Sequence, residues 1–85
     1  MTTYQQMLAI DILNHVCEVG QQAIGVSIYK HADIWCASLG IREDYSMREK
    51  NRNAYGFSEN SAIENLYRIV TGKALEPIGV EVVQE

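Results

Sequence analysis

His15, Cys17, His31 and Cys36 are the side-chain types that hold zinc tetrahedrally, and they fall within the first half of an 85-residue chain. Their spacing argues against a shared ion. On a helix the H-x-C pair would point about 200° apart, because each residue turns about 100°. Asp11 with His15, and His31 with Trp35, sit at i, i+4 and would share a helix face. A helix-face ion pair and a partly buried imidazole account for them, so no metal ligand is assigned. Nucleophilic chemistry has no better footing. The serines lack a G-x-S-x-G turn, and the cysteines lie in apolar periodic segments, which leaves a thiol inert. The six glycines are scattered and form no phosphate loop, and Glu43 with Asp44 is a pair of chain neighbours. No catalytic residue and no cofactor is expected; the chain reads as a non-enzyme.

The segment REDYSMREKNRNAYGFSENS, residues 42–61, mixes bases with aromatics as a phosphate-contacting, base-stacking patch would. Read as a helix over about 47–55, it places Arg48 and Arg52 on one face and Lys50 about 200° away. Glu49 and Asp44 dilute the charge. A helix-turn-helix alignment that sets Gly40 in the turn puts Ser46 and Glu49 where the second helix needs buried aliphatics, and so fails. Tyr45, Arg48, Arg52 and Tyr55 remain as a partner-binding surface, since tyrosine beside arginine is typical of interface hot spots. A protein partner is favoured over nucleic acid, the alternative being a nucleic-acid-binding regulator that uses the basic and aromatic residues 42–57.

Composition agrees. The chain is 47% hydrophobic and 21% charged, as globular domains are, with a net charge of −4. That charge disfavours indiscriminate binding to DNA or anionic membranes. Residues 1–40 sum to −2, residues 41–57 to +1 and residues 58–85 to −3, so the middle is the locally basic part. Two cysteines in apolar segments and an N-terminus without a signal-like pattern suggest buried thiols in a cytoplasmic protein. No apolar run is long enough to span a bilayer, so no membrane association is expected. Compact acidic proteins of this size are frequent among phage and mobile-element regulators, an association of size and charge and not of motif.

The elements expected to carry these residues are mainly helical. TTYQQMLAIDILNHVCEVG reads as a helix with a Thr3–Gln6 capping box and Gly20 beyond its end. Its apolar residues spread around more than one side. Residues 21–39 fit a helix through Ile24, Ile28, Ala32, Trp35 and Leu39, yet AIGVSIY also alternates as a strand over 23–29. FSENSAIENLYRIVTG is a helix capped by Ser58 or Ser61 and ended by Gly72. Beyond Pro77, the alternation of Ile78, Val80 and Val82 suggests a short strand. The expected fold is one compact domain over 1–85, a mainly α bundle of three to four short helices around Trp35 and Leu66 with a C-terminal β-strand. The alternative is α+β with strands near 23–29 and 78–83. A chain this small has a thin hydrophobic surplus, and the first helix is apolar on several sides, so a homodimer or higher homo-oligomer is expected. The function expected is that of a small interaction protein, an inhibitor, adaptor or regulator.

Overall fold

The computed structural model describes residues 1–42 and 49–74. In chain order it contains α1 (Thr3–Glu18), β1 (Gln22–His31), β2 (Ile34–Arg42), β3 (Glu49–Gly56) and α2 (Glu59–Thr71). The strands form one antiparallel sheet in the order β1-β2-β3, with both helices on one of its faces. The fold is therefore α+β, and the expectation of a mainly α bundle of three to four helices is overturned. The helix expected over 21–39 is a hairpin instead, and the helix expected over about 47–55 is replaced by β3 from Glu49 onward. Burial explains why alternation won over helical spacing. In β2, Ala37, Leu39 and Ile41 are buried against the helices at two-residue steps, which a helix would scatter around its circumference. The expected strand near 78–83 lies outside the described residues.

Helix α1 is closed at both ends by local hydrogen bonds. Thr2, one residue before the expected cap, accepts from the Gln5 amide at 3.2 Å, while the Gln5 side chain accepts from the Thr2 amide at 3.0 Å. At the other end Gly20 adopts φ 84°, and the amides of Gly20 and Gln21 donate to the carbonyls of Cys17 and Val16. This is the Schellman arrangement, and the chain turns directly into β1. In α2, Ser58 caps the first turn and Gly72, at φ 72°, ends the last.

The core is a single layer between helices and sheet. Ile12, Val16, Leu39, Ile63 and Leu66 are fully buried, and Trp35, expected as the main anchor, is only half-buried at its rim. The helices lie side by side in the same direction. At their N-terminal ends the buried Gln5 amide donates to Asn60 at 2.8 Å and Glu59 at 3.2 Å, and the Tyr4 hydroxyl donates to Glu64. Two positions show how tightly the elements meet. Gly56 ends β3 where a Cβ would stand 2.5 Å from Ser61 Cβ and 2.6 Å from the Ala62 nitrogen, so only glycine lets the strand pass under α2. The two-residue β1–β2 turn places Ala32 at φ 57°, a left-handed conformation that costs an L-residue about 1–2 kcal/mol.

Gly56→Ala is expected to destabilise the protein by roughly 3 kcal/mol, at the upper end of overpacking costs, read as a lower urea midpoint. The Tyr4 clasp carries a pH dependence. Burial, then the hydrogen bond to Glu64, pushes the Tyr4 pKa up to about 12. A group that holds its proton more tightly when folded stabilises fully below its unfolded value, near 10, and loses that contribution as pH rises toward 12. Stability measured across pH 10–12 should fall more steeply in the wild type than in Tyr4→Phe.

Candidate functional site

The register of the hairpins decides which side chains the helices leave uncovered. Rows that include the buried Leu39 and Ala37 face the helices: Val26, Leu39 and Arg52, then Ile28, Ala37 and Ala54. The alternate rows lie on the opposite face. They are Gly25, Gly40 and Asn51; Ser27, Ser38 and Asn53; and Tyr29, Cys36 and Tyr55. A bulge between Ala23 and Gly25 adds Ile24 to this face, where its Cβ would lie 3.3 Å from a Cβ built on Gly40. No described element packs on these rows.

At the centre of the open face, Cys36 is 0% exposed although no helix covers it. Its neighbours do. Tyr29 from β1 and Tyr55 from β3 flank it in register. The neighbouring Cys36 thiol, more than Tyr55, holds the Tyr29 pKa above its ordinary value. Both tyrosines are about half exposed, Tyr29 at 46% and Tyr55 at 53%, so an aromatic side chain stands on each side of the buried thiol. Beside this aromatic row lie the small residues Gly25, Ser27 and Ser38, while the side chains of Ile24 and Asn51 stand over Gly40. Charge is sparse. Arg42 lies at the far end, opposite Glu49 in register, while Lys30, Lys50 and Arg52 belong to the helix-side rows.

The residues expected to form a contact surface are therefore divided. Arg52 and Tyr55 are three positions apart on one strand and point to opposite faces of β3, and Tyr45 and Arg48 lie outside the described residues. Tyr29, Cys36, Ser38 and Asn53 were not anticipated. Their signal in the sequence is the alternation of AIGVSIY, WCASLGI and RNAYG as three strands, but which residues share a row emerges only from the register. The thiols also differ from expectation, since Cys17 is exposed and only Cys36 is buried. His15, Cys17, His31 and Cys36 are dispersed over the helix end, its outer side, the hairpin tip and the sheet. Among the described residues no cluster of three or more His, Cys, Asp or Glu is placed to hold a metal.

A second concavity, of about 220 Å³, opens between the C-terminal ends of the helices and is lined by Asp11, His15, Glu18, Tyr67, Thr71 and Lys73 among others. It brings a histidine near a threonine, but the Thr71 hydroxyl donates to the Tyr67 carbonyl at 2.7 Å. No described helix is long and apolar enough to cross a membrane. Comparison of the chain with protein-family models, with curated proteins and with solved structures finds no match.

The difference in burial between Cys17 and Cys36 predicts unequal thiol reactivity. A small thiol reagent should label Cys17 promptly and Cys36 on the order of a hundredfold more slowly, through local opening of the sheet. Tyr29→Ala should bring Cys36 labelling toward that of Cys17, as followed by mass spectrometry of the two peptides.

Proposed function

We propose that this chain is a small non-enzymatic interaction protein, an inhibitor, adaptor or regulator, that binds a protein partner on the open face of its sheet. The observation that carries this reading is the Tyr29–Cys36–Tyr55 row: two half-exposed tyrosines in register on either side of a buried thiol, with glycine and serine in the neighbouring rows. Tyrosine, with two side-chain torsions, loses little rotamer freedom on binding, and a face poor in charge and rich in tyrosine has the composition of an interface centre. The commitment of Thr71 to a backbone carbonyl supports a binding role over catalysis in the helix-end cleft. Two free thiols, one of them exposed, fit a reducing compartment such as the cytoplasm.

Nucleic acid is the second reading, favoured by the same rings, on which bases could stack. It needs cations along the strand's path, and the sheet supplies them on the wrong side. Lys30, Lys50 and Arg52 share rows with helix-facing residues, leaving Arg42 beside the platform.

Affinity capture from cells that express the protein, followed by titration of the captured partner, tests the proposal. The Tyr29→Ser, Tyr55→Ser double variant should retain its fold and lose at least about thirtyfold in affinity, as removal of a hot-spot pair does. Ile69→Ser, at an exposed site on α2, should bind as the wild type does. Undiminished binding by the double variant would refute the assignment, as would capture of nucleic acid with an affinity that falls steeply with salt.

A further inference from the structure

Helix α1 has two apolar sides, and the fold uses one. Its buried residues, Gln5, Leu8, Ala9, Ile12 and Val16, face α2 and the sheet. Diametrically opposite runs a stripe of Thr3, Met7, Ile10, Asn14 and Cys17, all exposed, with Met7 at 60% and Ile10 at 55%. The steps between them are four, three, four and three residues. That is the a/d repeat of a two-stranded helical seam, with Met7 and Asn14 at one position and Thr3, Ile10 and Cys17 at the other. By contrast, the exposed side of α2 carries Glu59, Asn60 and Arg68 around Ile69.

We infer that the outer stripe of α1 is a self-association seam, on which a second copy of this chain docks its own α1 in parallel. The polar residues choose both partner and direction. In a parallel pair every layer meets its own kind, so the two Asn14 amides hydrogen-bond each other, and one asparagine at such a position is a known register device. An antiparallel pair sets each a position against a d position, which opposes Asn14 to a residue such as Ile10 and buries the amide without a partner. Flanking charge agrees. The parallel arrangement sets Gln6 beside Asp11 of the second copy, amide to carboxylate, whereas the antiparallel one brings the two Asp11 carboxylates together. A membrane surface is a poor occupant, because residues Thr3–Glu18 contain no Lys or Arg to meet lipid headgroups.

Area sets the strength. A 16-residue helix is roughly 24 Å long, and such a seam covers on the order of 400 Å² per copy, about half that of a standard stable interface. The dimer is accordingly weak and concentration-dependent. It stands apart from the reading of the sheet face and leaves that face free.

Sedimentation equilibrium on the full chain, over roughly 5–500 µM to bracket the dissociation constant a small interface supports, tests it. The wild type should pass from monomer to dimer. Ile10→Asp should weaken association at least about tenfold with an unchanged circular dichroism spectrum, since Ile10 contributes nothing to the core. Mild thiol oxidation at high concentration should give a dimer linked through Cys17 that Cys17→Ser abolishes, because matched d positions bring the two thiols within disulfide reach. A chain that stays monomeric throughout would overturn the inference. So would a dimer indifferent to Ile10→Asp, or a dimer that oxidation fails to link through Cys17.

Discussion

Everything distinctive in this molecule follows from burial on one side of a short sheet. Two helices, each roughly 10 Å across, are enough to cover one face of three strands spaced about 4.8 Å apart, and no further described element remains to cover the other. Ile12, Val16, Leu39, Ile63 and Leu66 fill that single layer. The opposite face must then be tolerable in water, and glycine, serine and asparagine supply that. The exception is Cys36, whose thiol is shielded by side chains reaching across from both neighbouring strands. Tyr29 and Tyr55 thus flank the thiol while remaining half exposed themselves. The covered face explains why the protein folds, and the uncovered one is where a partner can be read.

The two helices were legible in the sequence, and of the sheet only the alternation over 23–29 was, as the alternative to a helix. In α2, serine, glycine and the spacing of Ala62, Ile63 and Leu66 all agree, and the element appears close to its expected bounds. In α1 the register of the cap moved by one residue, and of its apolar residues on several sides the structure buries Leu8, Ala9, Ile12 and Val16 and leaves Met7 and Ile10 exposed. The hairpins were hidden by their chemistry. Ala32-Asp33 is not the Asn-Gly or Asp-Gly pair that announces a two-residue turn, and the left-handed alanine is a strain that tertiary pairing absorbs. The bulge at Ile24 breaks the alternation of β1, which left Ile24, Ile28 and Trp35 free to suggest a helix. Strand β3 reads EKNRNAYG, polar enough to pass for a solvated helix, and it is a strand because Ala54 and Gly56 alone need to face the core. Of the candidate site, Tyr55 was visible from its type, whereas Tyr29 and Cys36 became its neighbours only through pairing across three strands.

Charge is unevenly divided between the layers. The helices carry Asp11, Glu18, Glu59 and Glu64 against Arg68, and the strands carry Lys30, Arg42, Lys50 and Arg52 against Glu49. The net charge of −4 therefore says little about any one surface, and the open face itself is nearly neutral. The outer side of α1 points away from the sheet, so pairing through it would leave two partner-binding faces on one assembly. Two linked sites raise effective concentration without a new contact, which suits a small domain whose single interface is modest.

The central claim is that the partner meets the uncovered face of the sheet. Site-specific photo-crosslinking addresses it most directly, with a photoreactive amino acid placed at Asn53, in the row beside Cys36 and Tyr55, and separately at Arg68 on α2, in cells that express the protein. The account predicts a discrete adduct from position 53 and none from position 68. Adducts confined to position 68, or of equal yield from both, would contradict it.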